Sequence, residues 1–416
     1  MATKYWKGTA LAVAQVSTVT VGTHDATTLY EIRVNGLTIA RSVGAASNTA
    51  TATALAAAWN ASTHPYRQGI TATSAAAVVT LTGVAGMPFT VTVAVTTGTG
   101  TISTATPTAA TGPHHWDNAA NWSDGALPAS TDTVIFRDNA VNVCWGLNQA
   151  AVALAELQIW QSYTGRIGLP LATVAASANG ETANAGADEY RDRYLRIAWT
   201  AARIGEHAGP GTPSGSPRLK LDNAAAGAST TLIANTAAAG IDPGLPAVRL
   251  KANNASARVN VRLAPGGLGL AADEPTETST FGAVVIADTS ELSRVYSGPG
   301  ATLASWQQSG GNNQLRAAAT LASCTVLGGQ LAIDGAFAIT ALTVEGGICY
   351  PNNVPASGAA VVTATLNGGL LDFTQSPAAR TVTTLNPNRG ELRADKNVLT
   401  VTTFAQPANL YRAAIR

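Results

Sequence analysis

The sequence predicts a mainly β protein: a small N-terminal α+β module over residues 1–110, then a right-handed parallel β-helix (a β-solenoid) over 111–416. Three observations predict it. The first is a repeat. Gly310-Gly311, Gly328-Gly329, Gly346-Gly347 and Gly368-Gly369 are paired glycines, Arg389-Gly390 reads as a decayed fifth copy, and successive pairs start 18, 18, 22 and 21 residues apart. Short alternating runs such as Gln330–Asp334, Leu370–Phe373 and Glu391–Asp395 follow the pairs, and runs such as Thr340–Val344 and Val362–Leu366 precede the next ones. Short strands joined at a recurring glycine corner make a stacked coil, and glycine suits the corner because it takes positive φ and lets one turn lie close on the next. The second is composition: hydrophobic residues are 46% but aromatics only 6% and charged residues 12%, so the apolar content is mostly small aliphatic side chains that fill a narrow interior. The third is a change of periodicity within the first 110 residues, from two to helical and back.

In that first unit Gln15–Val21 and Tyr30–Ala40 alternate as strands, with Asn35-Gly36 as a hairpin signal. Ser47–Ala61 places Ala52, Leu55, Ala56 and Trp59 on one helical face, with Ser47 or Asn48 as cap. Ile70–Thr73, Val78–Thr82 and Phe89–Val95 return to strand periodicity, with turns at Gly83 and Gly86-Met87-Pro88. Thr96–Gly112 reads as a Thr/Gly/Ala/Pro linker. This order of elements resembles a small module common in tailed-phage virion and prophage proteins, where it occurs in tail, fibre and capsid-decorating chains. The resemblance covers about a quarter of the chain and carries no chemical motif.

Trp116, Trp122, Ser123, Gly125, Pro128, Asp132, Val134 and Phe136 form the string W-x5-W-S-x-G-x2-P-x3-D-x-V-x-F. It resembles the opening segment of many bacterial and phage β-helices, autotransporter-type passengers included. Physically it fits a solenoid cap, in which Trp116 and Trp122 cover an open apolar end and Pro128 helps set the turn into the first strand. Strands are then expected at Leu154–Ile159, Leu195–Trp199, Leu219–Leu221, Thr231–Ile233, Val248–Leu250, Val259–Leu263 and Val284–Ile286. Polar insertions at Ala172–Asp188 and Glu206–Pro217 separate some of them, and Gln406–Arg416 reads as a far cap or docking tail.

A net charge of +1 without a basic run argues against nucleic acid, and no stretch of 18 apolar residues suggests a membrane span. The first residues lack a signal-peptide core, so synthesis is expected in the cytoplasm. Cys144, Cys324 and Cys349 read as reduced thiols.

Chemistry finds little support. Asp334, Glu345, Asp372, Glu391 and Asp395 form no close pair along the repeats and read as turn carboxylates. The acidic run Asp273–Glu277 lacks calcium-ligand spacing, and the adjacent His114 and His115 point apart on an extended chain. Glu189–Arg196 is the dense charge cluster, and Tyr190, Arg191, Arg193 and Tyr194 are candidates for an intersubunit contact. No catalytic residue, cofactor or metal is expected. The resemblances imply a non-enzymatic structural component of a tailed-phage virion, a capsid-decorating (cement) protein before a tail fibre. Its expected partners are other virion proteins and itself, as a homotrimer. The alternatives are a tail fibre or tailspike that binds or degrades host surface glycans, and a bacterial surface adhesin.

Overall fold

The computed structural model describes residues 1–34, 36–67, 69–168, 194–207, 219–224, 229–232, 246–271, 278–289, 291–335, 337–352, 360–376, 378–395, 399–405 and 414–415. The chain is mainly β, with antiparallel sheets near the N-terminus and a large parallel arrangement beyond, compatible with a β-solenoid.

The antiparallel part follows the expected order. After β1 (Thr3–Tyr5) come β2 (Ala14–Thr23), the hairpin strands β3 (Leu29–Val34) and β4 (Leu37–Val43), and helix α1 (Asn48–Ala61). Four strands follow: β5 (Thr71–Ala75), β6 (Val78–Ala85), β7 (Val91–Thr96) and β8 (Thr101–Thr108). One sheet runs β5-β6-β2-β8 and the other β4-β3-β7. Ser47 caps α1, its Oγ accepting from the Ala50 N–H at 3.1 Å, a contact worth about 1 kcal/mol. The helix buries Thr51, Ala52, Leu55, Ala56 and Trp59 against both sheets, and the Trp59 indole donates to the Ile70 carbonyl at 3.1 Å.

Two expectations change here. Most of the expected linker is strand: β8 pairs antiparallel with β2, Val19 opposite Thr104 and Val21 opposite Ile102. It is an edge strand exposed along nearly its whole length, so no buried alternation marks it in the sequence. Gly83 lies inside β6 instead of at a turn, and the Phe89 ring lies over it, 2.6 Å from where a Cβ would stand.

In the parallel part, β1 pairs with β9 (Thr133–Phe136), Tyr5 opposite Ile135, so the first strand of the expected 1–110 unit joins the parallel sheet. Strand β9 pairs with β10 (Asn148–Trp160), and β10 with β11 (Leu195–Glu206). The first residues of β11 then pair with Leu219–Asn223 and its last with Ser229–Leu232. From there each strand pairs in parallel with the strand two further along, the register of a coiled chain with two strand columns. Inward columns hold the core: Cys324, Leu342, Ala364 and Leu385 stack in register, as do Val326, Val344 and Leu366. Leu268–Leu270 and Val295–Ser297 also belong to the columns but are three residues long, too short to show alternation. The expected insertions, apart from Glu206 and His207, lie outside the described residues. So does the tail, apart from Ala414–Ile415, which pairs with Glu391–Arg393.

The glycine corners explain the repeat. Gly311, Gly329, Gly347, Gly369 and Gly390 all have positive φ, between 67° and 94°. A Cβ on Gly347 would lie 2.3 Å from the Gly329 carbonyl oxygen, and one on Gly369 2.5 Å from that of Gly347. The fifth copy keeps the glycine with positive φ and replaces its neighbour by Arg389.

Gly347→Ala should therefore cost well over the ~1–2 kcal/mol of left-handed strain alone. Gly125→Ala, at φ 70° with nothing within 4 Å of its Cβ, should cost no more than that strain. Urea denaturation of both variants checks this, and equal losses would refute the close-approach account.

Candidate functional site at the capped end

The end of the parallel stack nearest the antiparallel module gathers the bulkiest side chains. Asn118 accepts from the Ala120 N–H at 3.0 Å and bends the chain back, so Trp116 and Trp122 meet edge to face with centroids 4.7 Å apart. Trp6, arriving just past β1, packs on Trp122 at 5.1 Å, Phe136 lies beneath all three indoles, and Tyr163 follows at 5.1 Å from Phe136. All five are buried. The Trp6 and Trp122 N–H groups donate to the Val141 and Trp116 carbonyls at 3.0 and 2.9 Å, and Pro128 is buried in the turn. Fully buried Asn121 ties the corner together: its amide donates to the carbonyls of Gly112 and His115, and its oxygen accepts from the Ala10 N–H.

Sequence reading singled out Trp116 and Trp122 but not Trp6, the third indole packed with them. The available signal was an indole beside Tyr5 in a chain poor in aromatics. Carboxylates hold this first strand in place. Asp132 Oδ1 accepts from the Ala2 N–H at 2.7 Å, and Lys4 pairs with Asp124. The Lys4 ammonium holds the Asp124 carboxyl below its usual range; at Asp132 burial pushes upward but is outweighed by the N–H groups of Ala2 and Ala129. A depressed carboxyl stabilises the fold fully at neutral pH and loses that contribution as pH falls through its folded value. The first strand should therefore loosen below about pH 4, seen as a red shift of tryptophan emission. Asp132→Asn should flatten that acid limb and lower stability at neutral pH.

On the outer face beside this cluster, Arg137 lies 4.3 Å from the Tyr5 ring and 5.0 Å from the Trp160 ring, and Trp160 packs against His207 with centroids 4.0 Å apart and the rings tilted by 45°. One residue row away, the Arg203 Nε lies 2.8 Å from Glu156 Oε1 and its Nη1 3.0 Å from Glu206 Oε1. Both carboxylates push the Arg203 guanidinium further up. These residues are far apart in sequence; pairing of Gln158 with Arg203 and of Trp160 with Glu206 brings them together.

Among the candidates for an intersubunit contact, Tyr190, Arg191 and Arg193 lie outside the described residues. Tyr194 is buried, 7% exposed, with the ammonium groups of Lys251 and Lys220 at 5.0 and 5.7 Å from its ring. Of the repeat carboxylates, Asp334 and Glu345 reach neighbours on adjacent turns, whereas Glu391 and Asp372 bond two residues along their own segment. Asp334 accepts from Gln314 and from Asn352, Glu345 from Asn367, Glu391 from Arg393, and the buried Asp372 from Thr374. His114 Nδ1 contacts the Asn142 carbonyl at 3.0 Å, whereas His115 Nε2 contacts that of Gly86 at 3.1 Å. Among the described residues no group of three or more His, Cys, Asp or Glu is placed to hold a metal ion. The three cysteines are free, Cys324 and Cys349 fully buried and Cys144 partly so; burial raises all three thiols, Cys324 to about 12.

Sequence reading also missed Arg380. It shares the inward face of its strand with Val382 and is 2% exposed; among the described residues it forms no ion pair and its Nε has no hydrogen-bond partner. Its Nη groups donate to the carbonyls of Ala379 and Asn352. Desolvation lowers its guanidinium from the usual value. Arg380→Met should therefore raise stability, by about 1–4 kcal/mol, in urea unfolding; a loss of that size would mean that the charge is compensated.

No protein-family model matches the chain, no curated protein matches it, and no solved structure matches it.

Proposed function

We propose that the chain is a structural component of a tailed-bacteriophage virion or prophage-derived particle, with a capsid-decorating role ahead of a tail-fibre role. In this reading the antiparallel α+β module attaches the chain and the parallel part is a right-handed β-helix, the hand that crossovers between parallel strands nearly always take. The chain acts as a rod held by other virion proteins and by copies of itself in a homotrimer. The observation that carries the reading is the outer face of the stack. Gln307, Thr325, Thr343, Thr365 and Asn386 follow one another in register, as do Ser305, Ser323, Ala341, Thr363 and Thr384. Such columns of short uncharged side chains form a flat contact surface without charge repulsion or long flexible groups, suited to close packing against a neighbour.

A second reading, a tail fibre or tailspike that binds or degrades host surface glycans, draws on the cluster at the capped end. There Tyr5, Trp160 and His207 retain exposed surface beside the Glu156–Arg203–Glu206 bridge. Immunogold labelling of purified particles with antibody to this chain separates the two. Label over the shell, with light scattering giving three times the chain mass, is the expected result. Label at the tail tip, with a polysaccharide halo on host lawns lost in Glu156→Gln, would replace the first reading by the second.

A further inference from the structure

Arg380 lies one layer beneath the surface of the parallel part: it is 2% exposed, while Asn352, Ala378 and Ala379 around it keep exposed surface. Of its guanidinium donors, Nη1 reaches the Ala379 carbonyl at 3.1 Å and Nη2 the Asn352 carbonyl at a long 3.5 Å. Nε has no partner among the described residues, and burial alone acts on the charge. The Nε–Nη2 edge is thus the least engaged side of the fork, the edge with which a guanidinium grips two oxygens of one anion. The same corner holds a second unsatisfied atom. Asn352 donates Nδ2 to Asp334 Oδ1 at 3.2 Å, which leaves its own Oδ1 as the spare end, and that oxygen is buried without a donor among the described residues. Ser376, 8% exposed, donates to the Asn352 carbonyl at 3.3 Å, so Arg380 and Ser376 meet at Asn352. Three demands coincide there: a buried cation, a free guanidinium edge and a spare acceptor. Water meets the last two and leaves the charge; chloride meets the charge and leaves the acceptor. A small oxyanion that carries a hydrogen meets all three.

We infer that Arg380 and Asn352 form a binding site for one small hydrogen-bearing oxyanion of the hydrogencarbonate kind. Two of its oxygens accept from Nε and Nη2 of Arg380, and its hydroxyl donates to Asn352 Oδ1. The cover over Arg380 favours a small ion over a phosphate ester or a polymer. Without the anion the guanidinium is a net cost, which is why Arg380→Met is expected to gain stability in plain buffer. With it, the charge is matched, and the ion ties the segment of Asn352 to the strand that begins at Arg380.

Urea unfolding of the full chain at fixed pH and ionic strength tests this, with sodium hydrogencarbonate, sodium nitrate and sodium chloride as the probes. Once the site is filled, each tenfold rise in hydrogencarbonate should lower the unfolding constant about tenfold. Nitrate, planar and singly charged but without a hydrogen, should act more weakly, and chloride more weakly still. Arg380→Met should respond alike to all three salts. Asn352→Ala should respond alike to hydrogencarbonate and nitrate. Carbon-13 spectra of labelled hydrogencarbonate supply a reading that does not depend on unfolding: its signal should broaden or shift with the unaltered chain and stay unchanged with Arg380→Met. Equal responses to the three salts in the unaltered chain would leave water as the occupant and overturn the inference. So would nitrate matching hydrogencarbonate there, or a hydrogencarbonate effect that survives in Arg380→Met.

Discussion

The parallel part depends on one constraint: at each corner, two backbones must come closer than any side chain permits. With a Cβ on Gly329 only 2.4 Å from the Gly311 carbonyl oxygen, the corner closes when both positions are bare. Once closed, it fixes the register of the strands on either side, and that register puts Leu, Val and Cys inward while Thr and Ser face out. The first corner also carries a buried polar network. Asn313 donates to Gln308 and Gly310 and accepts from the Val295 N–H, while Gln308 donates across to the next turn and accepts from Trp306. Every amide is satisfied, so the polar groups specify the bend without leaving an unpaired atom inside.

The repeat was legible because its constraint is local: a glycine pair and an alternating run of four to six residues survive as a pattern in one dimension. The helix was legible for the same reason, with Ser47 at its start and Trp59 on its buried face. Strand β8 was not, because an exposed edge strand such as Thr101–Thr108 needs no apolar periodicity; its pairing with β2 alone makes it a strand. Three-residue strands such as Val295–Ser297 escape for want of length.

The indole cluster was half legible. Trp116 and Trp122 lie six residues apart and belong to one string, but the third indole of the cluster comes from Trp6. Glu156, Arg203 and Glu206 become neighbours through the spacing of successive turns, a quantity set by the lengths of intervening segments and not by any motif. Arg380 shows the converse. In sequence it starts an ordinary Thr-rich strand, and its inward direction follows from Val382 two positions later being core.

The pairing of β1 with β9 reaches across 130 residues, from Ala2 to Asp132. During synthesis the first strand leaves the ribosome long before its partner exists. The antiparallel module, whose pairings all lie between β2 and β8, can fold in the interval and draw the two ends of its own segment together. Folded first, the module would act as a splint, shortening the search between Tyr5 and Ile135 from a long open loop to a short closed one.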